Sequence, residues 1–141
     1  MKNLFLVLVT ISFLITCSKE DQFDIEKYPQ KWQLVKMYGE TSESEVKGEN
    51  MEWQEYYLLN SDGTFTKHRE WDGSQIEASG TFSFTEGTDG KYLELYYEVN
   101  SEIIGSCTGN NTETLWLRSN NKLSGTWSYC DGPGLEYERV E

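Results

Sequence analysis

Tyr56-Tyr57-Leu58-Leu59-Asn60-Ser61-Asp62-Gly63-Thr64-Phe65 is the stretch that decides how this chain folds. Its first half ends a run, residues 52–59, in which Trp53, Tyr57 and Leu59 share one parity. Its second half opens another run, residues 64–71. Between them lies turn chemistry, with Asp-Gly where the backbone needs positive φ. Two alternating runs around such a turn predict an antiparallel hairpin.

The same grammar extends in both directions. Upstream, residues 31–38 alternate Trp32 and Leu34 with Lys31 and Gln33. Downstream, Asp72-Gly73-Ser74 leads into residues 75–84, where Ile76, Ala78, Gly80, Phe82 and Phe84 recur at period two. After a loop at 86–90, residues 91–99 alternate Leu93, Leu95, Tyr97 and Val99. Runs 114–118 and 122–129 pair around Ser119-Asn120-Asn121, and Asp131-Gly132-Pro133-Gly134 turns into a last run, 135–140. That makes eight strands with no sustained helical periodicity, so the fold class is all-β. Closure removes exposed edges, which favours an eight-stranded antiparallel up-and-down barrel over an open sandwich. Two connections, 39–51 and 100–111, are long enough to be lids or mobile segments.

The N-terminus reads differently. Lys2 precedes an apolar run from Leu4 to Ile15, and no further charge appears until Lys19. This is the pattern of a secretory signal peptide, too short to span a bilayer comfortably. Leu14-Ile15-Thr16-Cys17 resembles the bacterial lipoprotein signal, which implies cleavage before Cys17 and a diacylglyceride on its sulfur. Two or three acyl chains, each buried CH₂ contributing about 0.8 kcal/mol, would anchor the chain stably. Ser18-Lys19-Glu20-Asp21 resembles the export signal of Bacteroidetes-type surface lipoproteins. The expected organisation is a signal peptide at 1–16, a lipidated tether at 17–28 and a barrel domain at 29–141. The expected location is the outer membrane, on its periplasmic face or at the cell surface.

The chain has 141 residues, a formal charge of −12 and one histidine, His68. One domain of common size follows from that length. The acidity argues against nucleic acid, which demands a basic footprint, and against anionic lipid headgroups. The acyl chains on Cys17 are therefore the expected membrane contact, and a self-repelling acidic body is expected to be a monomer. Cys107 and Cys130 remain as an even pair in an exported chain, which predicts a disulfide closing a loop of about 23 residues and contributing on the order of 3 kcal/mol. Two free thiols are the alternative. Metal-ligand spacing is lacking, so no metal and no cofactor is expected.

The opening Lys31-Trp32-Gln33-Leu34-Val35 resembles the first strand of lipocalin-like domains, where a Trp starts the fold near the barrel floor. The spacing of 56–65 and then Gly80-Thr81-Phe82-Ser83-Phe84 resembles small lipocalin-like lipoproteins of Bacteroidetes-type bacteria. That resemblance covers about 110 residues and implies a cup with a ligand cavity.

Strand parity gives that cup a lining. Trp53, Tyr57, Phe65, Phe82, Leu93, Leu95, Tyr97 and Trp127 should face inward, with Lys67, Arg69 and Arg139 on the same parity. The lumen residues Trp53, Tyr57, Phe65, Lys67, Arg69, Phe82, Leu95, Tyr97 and Trp127 would then bind a small, largely apolar or anionic amphipathic ligand. Side chains alone can also fill a barrel of eight strands. Arg139 is expected to stack on Trp32 at the closed end as a structural pair. Acid pairs such as Glu52/Glu55 or Glu94/Glu98 should face solvent, and His68 has no nucleophile beside it, so no catalytic residue is expected. The alternative to a ligand binder is an interaction module or inhibitor, with the acidic 39–51 loop meeting a basic partner such as a lysozyme-like enzyme. An enclosed apolar cavity of about 300 Å³ or more would favour the first reading, and a packed interior with an exposed aromatic patch the second.

Overall fold

The hairpin at Asp62-Gly63 forms as its chemistry requires. Gly63 adopts φ +83°, and the Asp62 carboxylate accepts from both the backbone N–H and the hydroxyl of Thr64. This turn joins β3 (Gln54–Leu59) to β4 (Thr64–Trp71). The computed structural model describes residues 23–39 and 44–141. The expected signal peptide (1–16), Cys17 and the first part of the tether lie outside the described residues, as do residues 40–43 of the 39–51 connection.

Around that hairpin run β1 (Gln30–Tyr38), a two-residue β2 (Val46–Lys47), β5 (Ser74–Glu86), β6 (Lys91–Tyr97), β7 (Thr112–Ser119), β8 (Lys122–Gly125) and β9 (Gly134–Val140). Every pairing is antiparallel, each barrel strand hydrogen-bonds to the next, and β9 returns to β1. The result is a closed, eight-stranded up-and-down β-barrel, consistent with a lipocalin-like fold, with β2 as a short addition outside β1.

Two local departures from regular pleating shape the barrel. A bulge between Leu34 and Lys36 on β1 shifts the parity, so Met37 is buried where strict alternation would bury Lys36. Gly80 is the corner of β5, pairing with Phe65 of β4 and with Tyr97 of β6. A Cβ there would sit 1.9 Å from the Tyr96 carbonyl oxygen, so only glycine allows the approach.

The register sorts the connections to two ends. Gln30, Leu59 and Phe65 lie in one row, and Lys31 pairs with Val140 near it. This end, the floor, carries the turns at 60–63, 87–90 and 119–121. Its seal comes from the N-terminal side, where Ile25 and Tyr28 pack on the core. Trp32 Nε1 donates to Gln30 Oε1, whose own amide donates to the Ile25 carbonyl. Residues 23–28, the end of the expected tether, pack on the floor. Arg139 does not use Trp32 as its ring partner: its guanidinium lies 5.3 Å from the Phe23 ring and donates to the Asp24 and Lys27 carbonyls.

The opposite end, the mouth, collects the connections 39–53, 72–73, 98–111 and 126–133. The Cys107–Cys130 disulfide joins two of these, with a Cα–Cα distance of 5.7 Å. The run expected to continue through Tyr129 stops at Gly125, and Trp127–Tyr129 form a 3₁₀ turn. Trp127 packs so closely on Gly132 that a Cβ there would overlap the indole. A straight strand would carry Cys130 away from that contact.

Candidate ligand site in the barrel lumen

Alternation along β3 and β4 sends five consequential side chains inward. Glu55 and Tyr57 face Arg69 and Lys67 directly across the hairpin, with Phe65 below them. Leu93, Leu95 and Tyr97 enter from β6, Glu113 and Leu115 from β7, and Leu135 and Tyr137 from β9. The lower half is apolar, whereas the upper half is ionic.

Lys67 is the hub and is fully buried. Its Nζ lies 3.0 and 3.1 Å from the Glu113 oxygens, 3.3 Å from Glu55 Oε1 and 2.7 Å from the carbonyl oxygen of Ile103. An ammonium has three protons to donate, and this geometry engages them all. Glu55 also accepts from Arg69 Nε and from the Tyr137 hydroxyl. Glu113 also accepts from the hydroxyls of Tyr57 and Tyr97. Arg69 is stacked on Trp53, 4.2 Å from its ring, and reaches the Ile103 oxygen at 3.4 Å. The formal charges of Glu55, Lys67, Arg69 and Glu113 cancel.

The three tyrosines register this environment. Burial, reinforced by the Glu113 carboxylate, pushes Tyr57 and Tyr97 well above the ordinary phenol range. Burial and then Glu55 do the same to Tyr137. All three therefore stay neutral hydroxyl donors to the carboxylates beside them.

Ile103 closes the mouth. It belongs to the long 98–111 connection, yet its side chain is 1% exposed and joins the hydrophobic core. Among the described residues, depressions of about 230–310 Å³ open on the outside, and these are not lined by Glu55, Lys67 or Glu113. One of them, at the mouth, is bordered by Trp53, Met51, Glu70 and Asp72. Trp53 Nε1 is buried with no acceptor among the described residues.

Of the residues expected to line the lumen, Trp53, Tyr57, Phe65, Lys67, Arg69, Leu95 and Tyr97 come together there. Phe82 is half-buried near the floor, 5.8 Å from the Tyr28 ring and 6.0 Å from Phe84. Trp127 is half-buried over Gly105 in the mouth turn and is not on a strand. Glu55, expected to face solvent, is instead 1% exposed, because it shares the inward parity of Trp53 and Tyr57. Lys67 and Arg69, read as free to meet an anionic ligand, are already paired with Glu55 and Glu113. Sequence reasoning also left out Glu113, Tyr137 and Ile103. His68 does face outward, stacked on Tyr56 and within 3.1 Å of Glu77.

Comparison of the chain with protein-family models, with curated proteins and with solved structures finds no match.

Proposed function

We propose that this chain is a lipid-anchored, lipocalin-like binding protein of the bacterial envelope, acting by binding and not by catalysis. Its lumen takes a small ligand when the 98–111 connection withdraws from the mouth. The observation that carries this reading is the ionic cluster closed by Ile103. Desolvating four charged groups costs several kcal/mol per ion, and well-packed apolar side chains commonly serve stability as well or better. A barrel of eight strands can be filled with aliphatic residues. Charges, hydroxyls and an inserted main-chain oxygen in one sealed place instead supply directional contacts of the kind that fix a ligand.

The anchor gives the vessel an orientation. From Cys17, six residues reach Phe23 at the floor, a span of at most about 20 Å. On this reading the floor faces the bilayer and the mouth faces away from it, at the outer membrane's periplasmic or external surface. Native mass spectrometry of the protein purified from its own host tests both halves of the proposal. We expect an acyl mass on Cys17 and a retained small molecule in a fraction of the population. An unmodified Cys17 would overturn the anchor. A ligand-free spectrum, from protein whose 98–111 amides never exchange ahead of global unfolding, would overturn the vessel.

A second reading has its own support, because side chains fill the lumen and exposed aromatics stand at the mouth, the combination expected of an interaction module. Trp71, Val99 and Tyr129 are exposed, and all three belong to the mouth end. They stand among exposed Glu49, Glu52, Glu70, Asp72, Glu98 and Asp131. An acidic rim with exposed aromatics suits a basic protein partner. Salt-sensitive capture of a basic envelope or host enzyme by the purified protein, abolished by Tyr129→Ala with Trp71→Ala, would favour it.

A further inference from the structure

Building on the vessel reading, we propose that Ile103 is the lumen's internal occupant, and that the ligand it excludes is uncharged. That ligand pairs a carbonyl-type acceptor oxygen with a compact branched aliphatic group.

The charge balance of the site sets the first requirement. Lys67 and Arg69 already face Glu55 and Glu113, and the cluster is formally neutral. An anion entering it would bring an unmatched charge into a place sealed from water, and so would a cation. A neutral carbonyl carries no such penalty.

What Ile103 itself supplies sets the second. Its oxygen completes the donors of Lys67 at 2.7 Å and approaches Arg69 at 3.4 Å. If the loop withdraws with nothing in its place, an ammonium proton loses its protein acceptor, which disfavours the empty open state. A displacing molecule must restore that oxygen. It must also refill the space of a buried sec-butyl side chain, which belongs to the core cluster. A branched acyl group meets both needs.

Trp53 adds an independent pointer. Its indole lies against Arg69, next to the group that Ile103 contacts, and its Nε1–H has no acceptor among the described residues. Nothing among the described residues uses that donor, and it is available to a second oxygen of a ligand seated beside Arg69.

Means of withdrawal are local. Residues 98–100, 102 and 107–110 are exposed, and the connection is pinned at Ile103, at the neighbouring Ile104 and buried Gly105, and at the disulfide to Cys130. The loop competes with ligand from within the same molecule, so the apparent affinity of the intact protein is reduced by the fraction of time the mouth is open.

Three probes of one carbon skeleton test the proposal: isovaleramide, isovalerate and isopentylamine, titrated into the purified protein by NMR and calorimetry. The hosts are the unaltered chain, Ile103→Gly, and the Cys107→Ser/Cys130→Ser pair. We expect isovaleramide to bind Ile103→Gly at least about tenfold more tightly than the unaltered chain, shifting the Trp53 indole N–H resonance. The two charged probes should bind at least about tenfold more weakly than the amide. Should Ile103→Gly fail to fold, the cysteine pair is expected to give the same ranking. If isovalerate or isopentylamine binds a folded variant as well as the amide does, the ligand class is wrong and the vessel stands. If none of the three binds either folded variant, both the class and the vessel fall.

Discussion

The ammonium of Lys67 donates to the main-chain oxygen of Ile103 at 2.7 Å, across 36 positions of sequence. A charge at the centre of β4 thus holds a long mouth loop in place, and the barrel's interior and its lid form one network. Barrel and loop should therefore respond together when the network is disturbed.

Removing the hub tests that coupling. Lys67→Met leaves Glu55 and Glu113 buried with fewer partners, and we expect a loss of about 3–5 kcal/mol in urea unfolding. Adding Glu113→Gln removes one of the orphaned charges. The double variant should be more stable than Lys67→Met alone, with a coupling energy of about 1–3 kcal/mol between the sites. Strictly additive losses would mean that the two side chains do not act on each other.

Much of this network was within reach of the sequence, and the reason it was missed is physical. Asp62-Gly63 fixes the hairpin register, so residues equidistant from Asp62 face each other: Tyr57 with Lys67, and Glu55 with Arg69. The parity of Trp53, Tyr57 and Leu59 then commits Glu55 to the interior. An acid in a chain with 24 of them reads as solvated, and only the cross-strand cations reverse that expectation. Barrel class, the strand sequence, the Cys107–Cys130 pair and most lumen residues follow from local signals alone. Glu113 fell just outside a strand drawn too short, since β7 begins at Thr112. Ile103 gives no local signal, because its burial depends on a lysine from a distant strand. The bulge after Leu34 and the early end of β8 at Gly125 likewise arise from packing, not from propensity.

The buried phenols predict an alkaline limit. Tyr57, Tyr97 and Tyr137 are all raised in the folded state by burial and by the neighbouring carboxylates. The unfolded chain releases these protons near the ordinary tyrosine value, about 10, while the folded chain keeps them. The stabilisation is therefore complete below about pH 10 and is lost as pH rises from there towards the folded values. Each group contributes a slope of about 1.4 kcal/mol per pH unit in that window, or about 4 kcal/mol for the three together. In an absorbance titration, these three of the nine tyrosines should ionise only with cooperative unfolding. Smooth ionisation of all nine in a chain that stays folded would contradict the network.

The disulfide should matter more to the mouth than to the floor. Cys107 and Cys130 join the 98–111 and 126–133 connections. Cys107→Ser with Cys130→Ser should lower stability by about 3 kcal/mol, from the entropy of an opened loop. Hydrogen exchange should accelerate first at residues 98–111, ahead of the β3–β4 hairpin. Uniform acceleration across the barrel would show that the bridge does not act on the lid.

At the other end, Arg139 makes a prediction that separates floor from barrel. Its two terminal nitrogens each donate, at 2.6 Å, to a different backbone carbonyl, Asp24 and Lys27. A guanidinium fork can serve both, whereas a lysine ammonium on a flexible stem cannot hold the same two positions at once. Arg139→Lys should therefore loosen residues 23–28, and Arg139→Ala should release them at a cost of about 3–5 kcal/mol, from two charge-assisted hydrogen bonds. Lys27 is exposed, but its backbone is tied to Arg139, so trypsin should cut after it slowly in the unaltered chain and rapidly in Arg139→Ala. β1 pairs with β9 along seven residue positions independently of that side chain, so the far-ultraviolet spectrum should persist after the cut. If Arg139→Ala leaves the cleavage rate unchanged, the packing of Ile25 and Tyr28 and the Gln30 bond to the Ile25 carbonyl suffice to hold the segment. The floor would then owe its closure to that packing and to the Trp32–Gln30–Ile25 hydrogen bonds, with no contribution from the arginine.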